Sequence, residues 1–227
     1  NDKSIIDLAR KSDLLQDMKS MLDQDEEFRQ DLDMTDIETW NEGTEHVYGI
    51  CSSKDFFGYF YNKRLLKEAG YDKFPESWEE FYVMCDKLKE NGVAPMSLET
   101  KTAWYSSLTM LATLAGNSET GNKMANTVGV VDYNTPEFIE AAENLQNMFL
   151  NYTTVDAPGS DVSVALNNFT GSQTAMVLDG AWRISELTDS PVGGDLDVAL
   201  IPGNGAIAYP AYAWFSGSKD ELKASAA

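Results

Sequence analysis

The sequence is poor in the residues that most often carry chemistry. One histidine, His46, and two cysteines, Cys51 and Cys85, stand in 227 residues. Two cysteines make no disulfide framework, and with Cys85 expected on the buried side of a helix they read as two unlinked thiols. No His and Cys set has metal-ligand spacing, and no G-x-x-x-x-G-K loop is present to cradle a phosphate. Basic residues are scarce: 17 Lys and Arg against 37 Asp and Glu leave a net charge of −20. Such a chain repels phosphodiesters and anionic lipid surfaces, which argues against nucleic acid and membranes as partners. No apolar run approaches the roughly 18 residues of a membrane span, and no basic-then-apolar signal segment opens the sequence. Internal repeats and low-complexity linkers are lacking too. What is present is globular: 43% hydrophobic residues and 11% aromatics, enough to bury a core and set aside global disorder. The length allows one large domain or two small ones.

Residues 49–88 organise the chain. Tyr59-Phe60-Tyr61-Asn62 is an aromatic run of the kind strands favour. A basic helical turn, residues 63–67, follows and stops at Gly70, suited to the left-handed C′ position. Beyond Pro75, Ser77-Trp78-Glu79-Glu80 is a capping box. The helix it opens places Phe81, Met84, Cys85 and Leu88 on one buried face, and Asn91-Gly92 ends it.

The remainder alternates. Residues 1–45 are acidic and helix-prone, with a stripe of Leu14, Leu15, Met18 and Leu22. Residues 46–50 read as a strand, with a loop carrying Asp55 before the next one. Residues 93–98 read as a short buried strand. The spacing predicts a helix over 104–115 with Trp104, Leu108, Leu111, Ala112 and Ala115 on one side. A polar loop over 116–131 is expected to end in a strand. Thr135-Pro136 reads as a cap with proline at the first helical position, and Phe138, Ile139, Ala142, Leu145 and Phe149 as the stripe after it. A helix over 161–168, a strand over 174–178, a helix from Trp182 and strands over 197–201 and 209–215 complete the pattern. Alternation from Tyr59 to Pro202 predicts an α/β lobe with helices on both faces of its sheet.

The order in residues 49–88 (aromatic strand, YN-K, helical turn, AG, proline, S-W-E-E-F) resembles the extracellular solute-binding proteins of carbohydrate ABC importers, the family 1, maltose-binding-protein-like group. Phe169 to Trp182, FTGSQTAMVLDGAW, resembles the same family's F-x-x-G-x-x-A-M-x-x-x-G-x-W. Residues 46–50 are similar to its V-Y-G-I-P strand, with Cys51 where proline is usual. The resemblance covers nearly all of the chain, and the family pattern is truncated at both ends. It implies a periplasmic-binding-protein-like (type II) α/β architecture of two lobes. Residues 1–58 would be a partial first lobe, 59–208 an essentially complete second lobe, and 209–227 the return to the first. It also implies binding of a sugar or oligosaccharide by hinge closure and delivery to ABC permease subunits. An extracytoplasmic monomer follows, either a membrane-anchored lipoprotein or periplasmic, with no cofactor. A glycoside hydrolase fragment and a binder of a non-sugar solute are the alternatives.

Catalysis finds little footing. The carboxylates cluster on helix surfaces rather than as a glycosidase pair about 5–9.5 Å apart, so no catalytic or metal-binding residue is assigned. Aromatics at strand ends and helix starts are the stronger lead, because ligands of open α/β sheets gather there. Each ring serves either the core or the C–H face of a pyranose. The expected ligand-binding residues are Asp55, Phe57, Trp104, Tyr105, Asp179, Gly180, Trp182, Tyr212 and Trp214. By resemblance, Trp182 of G-x-W lies against the sugar. Its ring is expected to project from the lobe's rim, with Asp179 and Gly180 at a helix start whose N–H groups bind ligand oxygens. Arg183 is expected to pair with a local carboxylate, and the acidic balance to favour neutral sugars.

Overall fold

The computed structural model describes residues 8–12, 14–34, 37–38, 41, 44–102, 107–125, 132–203 and 208–215, of which 51–54, 125 and 208–215 are described by their backbone alone. The chain divides into two compact units, one of Phe56–Ile207 and the other of Asn1–Asp55 with Ala208–Ala227.

The smaller unit carries helices α1 (Lys19–Gln24) and α2 (Glu26–Gln30). Two polar side chains fasten its loops. Asn41 is buried; its Nδ2 donates to the carbonyls of Ile37 and Gly49 at 2.6 and 2.9 Å, and its Oδ1 accepts from Tyr48 N–H at 2.6 Å. Asp17 accepts from the N–H groups of Lys19 and Val47 and meets His46 Nδ1 at 2.6 Å. Burial pushes the Asp17 carboxyl upward, but these bonds outweigh it and leave the group below its ordinary value. His46 is thus a surface partner of Asp17.

The larger unit is built on a mixed sheet. Strands β1 (Gly49–Asn62), β2 (Ala94–Ser97), β3 (Thr174–Gly180) and β4 (Leu196–Ala199) stand in the order β2-β3-β1-β4; β5 (Ala208–Phe215), which pairs with β1 off that path, and residues 49–55 of β1 belong to the smaller unit. β2 and β3 are parallel, while β1 is antiparallel to β3 and to β4. The expected loop before Tyr59 is instead strand: β1 runs unbroken from Gly49, and Asp55 lies within it. The polar residues 52–55 have little strand propensity of their own, and they continue a strand that is laddered from Phe57 onward.

Capping side chains start the helices. Asn62 accepts from the N–H groups of Arg64 and Leu65 and opens α3 (Lys63–Glu68), after which Gly70 takes φ +93°. Only glycine adopts that angle without strain. Ser77 Oγ accepts from Glu80 N–H at 3.2 Å and opens α4 (Trp78–Glu90). Phe81, Met84, Cys85 and Leu88 of α4 are fully buried, the face that its spacing predicts. Asp161 likewise caps α8 (Val162–Thr170).

Alternation along β1 sends side chains to opposite faces of the sheet. Tyr59 meets Phe74 and Phe81 with ring centroids 5.2 and 5.3 Å apart, under α4. Phe60, opposite Val177 on β3, packs with Leu166 and Phe169 of α8 and with Leu187 and Val192. Helices therefore cover both faces. Across β2 and β3, Ser97 Oγ and Thr174 Oγ1 bond at 2.6 Å within the core.

Two helices turn faces that match those expected only in part: Ala115 and Phe138 are buried as expected, and the other described residues of the two stripes are not. In α5 (Ser107–Ala115) the buried residues include Ser107, Thr109, Met110, Thr113 and Leu114, whereas Leu108 is exposed. Hydroxyls go inward because backbone carbonyls satisfy them: Thr113 donates to Thr109 O, and Ser107 to Glu99 O. In α7 (Pro136–Asn151) the buried stripe is Phe138, Ala141 and Met148, and Ile139 is exposed. This face packs on α5. Thr135 occupies the cap position, but its hydroxyl donates to Met124 Sδ and accepts from none of the helix's first N–H groups, which it does not cap. The expected loop over 116–131 contains α6 (Glu119–Ala125), and its expected terminal strand lies outside the described residues.

Candidate functional site

The site grows from the end of β3. Every residue of that strand is buried, down to Asp179 and Gly180 at its last two positions. The antiparallel register sets Phe57 of β1 opposite Gly180, and Gly58 opposite Asp179. After Gly180 the chain turns through one 3₁₀ turn, Ala181–Arg183, into the five-residue α9 (Ile184–Thr188). The turn brings the Trp182 ring back onto the strand end. Its centroid lies 5.3 Å from that of Phe57, at 88°, an edge-to-face pair. The outer edge of its six-membered ring occupies the space a side chain at position 180 would need. A Cβ there would stand 2.2 Å from Cη2 and Cζ3 and 2.5 Å from Cζ2. Trp182 is therefore half-buried, not projected clear of the rim.

Asp179 is 1% exposed. Its Oδ1 accepts the N–H of Gly180 at 2.7 Å, and its Oδ2 accepts from Arg183 Nε at 3.1 Å. Arg183 also donates to Glu186 Oε2 at 2.6 Å, so it pairs with two local carboxylates, as the sequence reading expects of it. Burial pushes the Asp179 carboxyl above its ordinary value, and the Gly180 N–H and the Arg183 charge only partly offset that. The Gly180 N–H is thereby engaged by Asp179 and not presented to a ligand. Asp179 caps no helix through its side chain.

A cavity of about 270 Å³ lies against Asp179 and Phe57, with Phe56, Gly58, Ile184, Val198 and Leu200 also in its wall. Phe56, Ile184, Val198 and Leu200 are 49–76% exposed. Ile184, Val198 and Leu200 are not among the residues expected from the sequence. Their one local signal was apolar residues at a strand exit and a helix start, where solvent would favour polar ones. Of the other expected residues, Asp55 is half-buried in β1. Tyr212 and Trp214 lie in β5, described by backbone alone, and Trp104 and Tyr105 lie outside the described residues. The structure thus brings together Phe57, Asp179, Gly180 and Trp182. Among the described residues no group of three or more His, Cys, Asp and Glu could hold a metal ion. The chemistry offered is contact with π and C–H surface beside charge that is already paired.

Residues 2–226 match the family model described as bacterial extracellular solute-binding protein. A multiple sugar-binding protein of Streptococcus mutans is 23% identical over 172 residues, which are 70% of this chain and 39% of that protein. A solved chitin oligosaccharide binding protein superposes with a TM-score of 0.75 at 20% identity, covering 93% of this chain and 54% of the other. A probable secreted solute-binding lipoprotein from Streptomyces coelicolor gives 0.77 at 18% identity, covering 94% and 55%. The fold is that of the type II periplasmic solute-binding proteins, and the chain spans about half the length of these solved relatives.

Proposed function

The chain belongs to the bacterial extracellular solute-binding proteins, and from that premise we propose that it recognises a sugar or oligosaccharide for an ABC importer. The observation that carries the reading is the Phe57–Trp182 pair at the junction of β1 and β3. An aromatic ring covers the C–H face of a pyranose, while carboxylates and amides bind its hydroxyl edge. Asp55, Trp104, Tyr105, Tyr212 and Trp214 supply further contacts. The two lobes of the whole protein close on the sugar by hinge motion, and the closed form docks on permease subunits. Closure excludes water, which would otherwise compete for every hydroxyl.

The protein acts as a binder and not as an enzyme, without cofactor, as an extracytoplasmic monomer, lipid-anchored or periplasmic. Family relatives described by name as multiple-sugar and chitin-oligosaccharide binders support the ligand class. Neutral sugars are preferred over phosphorylated or uronic ones, because Arg183 is already neutralised by two carboxylates within a chain of net charge −20.

Calorimetry of the whole protein against galactose, raffinose, chitobiose, xylobiose and glucose 6-phosphate tests this. Binding of a neutral sugar with a micromolar constant, about −8 kcal/mol, is the expected result. If only a peptide or polyamine binds, or if the phosphate binds most tightly, the reading fails. Chromophore release from p-nitrophenyl glycosides would transfer the protein to the hydrolases.

A further inference from the structure

The sequence offers two ordinary reasons for a glycine at position 180, and the structure removes both. Gly180 has φ −91° and ψ 164°, extended backbone that any residue adopts, so no left-handed conformation requires it. Its N–H is held by Asp179, so it is not a backbone donor awaiting a ligand. The space above its Cα is what a side chain would spoil. The Trp182 ring edge sits there, 2.2 Å from where a Cβ would be, and so close an approach forces the ring to move.

We propose that Gly180 and Phe57, facing each other across the β1–β3 ladder, form a seat that fixes the orientation of the Trp182 ring, and that this orientation determines which saccharides the site accepts. That second clause rests on the carbohydrate-binding reading above. Three constraints meet at the ring. The 3₁₀ turn returns the side chain to the strand end. The missing Cβ at 180 admits its outer edge. Phe57, held opposite Gly180 by register and itself 6% exposed, meets it edge to face at 88°. Gly180 and Phe57 belong to the ladder itself, and the 3₁₀ turn starts from its last residue, so the sheet sets the ring's surroundings. Gly180 and Phe57 are positioning residues: they act through Trp182.

Gly180→Ala isolates the effect, since alanine suits the backbone angles and adds one methyl group. The whole protein is labelled with 5-fluorotryptophan, and the Trp182 resonance is identified by its loss in Trp182→Phe. Gly180→Ala and Phe57→Leu are expected to shift that fluorine resonance while the other tryptophan resonances stay in place. The affinity for the best-bound sugar of galactose, raffinose, chitobiose and xylobiose is then measured in a cycle with Trp182→Ala. Gly180→Ala should weaken binding by about ten-fold when tryptophan is present and by less than about two-fold when alanine replaces it. An unmoved Trp182 resonance in Gly180→Ala overturns the seat. A shifted resonance with equal loss of affinity in both backgrounds overturns its role in recognition. If none of the four sugars binds the wild type, the carbohydrate reading falls, while the fluorine spectra still decide whether the seat exists.

Discussion

Replacing Asp179 by asparagine probes the charge beneath the Trp182 turn. The carboxylate is 1% exposed and holds two donors, the Gly180 N–H and Arg183 Nε. Asparagine keeps a carbonyl for the first, but its amide faces Arg183 with hydrogens or gives up the first bond to serve the second. One charge-assisted bond is lost, about 1.5–3 kcal/mol. The burial penalty of the ion is lost with it, and that penalty is large enough to raise the carboxyl despite its cationic neighbour. Arg183 retains Glu186. The net cost at pH 7 is therefore about 1 kcal/mol, or about 2–4 °C in Tm for a chain of this size. The pH dependence is the sharper test. A carboxyl raised by folding holds its proton more tightly in the native than in the unfolded state. Wild-type stability from this group is therefore full below the unfolded value of about 3.9 and declines as pH rises through the folded value. Asparagine has no such dependence. Denaturant melts from pH 3.5 to 8 should show the gap between wild type and Asp179→Asn widest at acid pH and narrowing upward to a plateau. A gap constant across that range, or one that widens with pH, would show that folding does not raise the Asp179 carboxyl.

Two further expectations concern the sheet's other face. Phe81→Ala removes a fully buried ring in contact with Tyr59, Phe74, Trp78 and Tyr82; it should cost about 3–5 kcal/mol in denaturant melts, and a loss under 1 kcal/mol would contradict the packing. The Cys85 thiol is fully buried and pushed well above its ordinary value by that burial, so in Cys51→Ser at pH 8 an aromatic disulfide reagent should modify it only at the rate of unfolding, and immediate labelling of that variant in native buffer would show the face to be open.

Local features were the legible ones. The cap at Ser77 and the period of Phe81, Met84, Cys85 and Leu88 lie within a dozen residues and specify α4 completely. Trp182 was legible as the end of a motif. Its environment was not, because the Phe57–Gly180 pairing joins residues far apart in sequence and depends on register, which no local pattern encodes. The inward face of α5 departs from its hydropathy for a different reason. Hydropathy treats Thr113 as a surface residue, yet its hydroxyl, bonded to the Thr109 carbonyl one turn back, hides its polarity. Asp55 reads as loop because residues 52–54 before it are polar, yet the strand that is laddered from Phe57 onward extends back through it.

The central place of β1 has a cost in time. Its ladder partners, residues 176–180 and 196–199, are translated long after it. At about 5–20 residues per second, the roughly 120 residues between leave it waiting on the order of 6–24 s. Throughout that interval Tyr59, Phe60 and Tyr61 form an unpaired aromatic segment of the kind that joins strands of other chains. The helices around it involve only near neighbours and form fast. Refolding of this unit is thus governed by how soon β1 is captured between β3 and β4, a search across long loops, and its yield should fall with protein concentration.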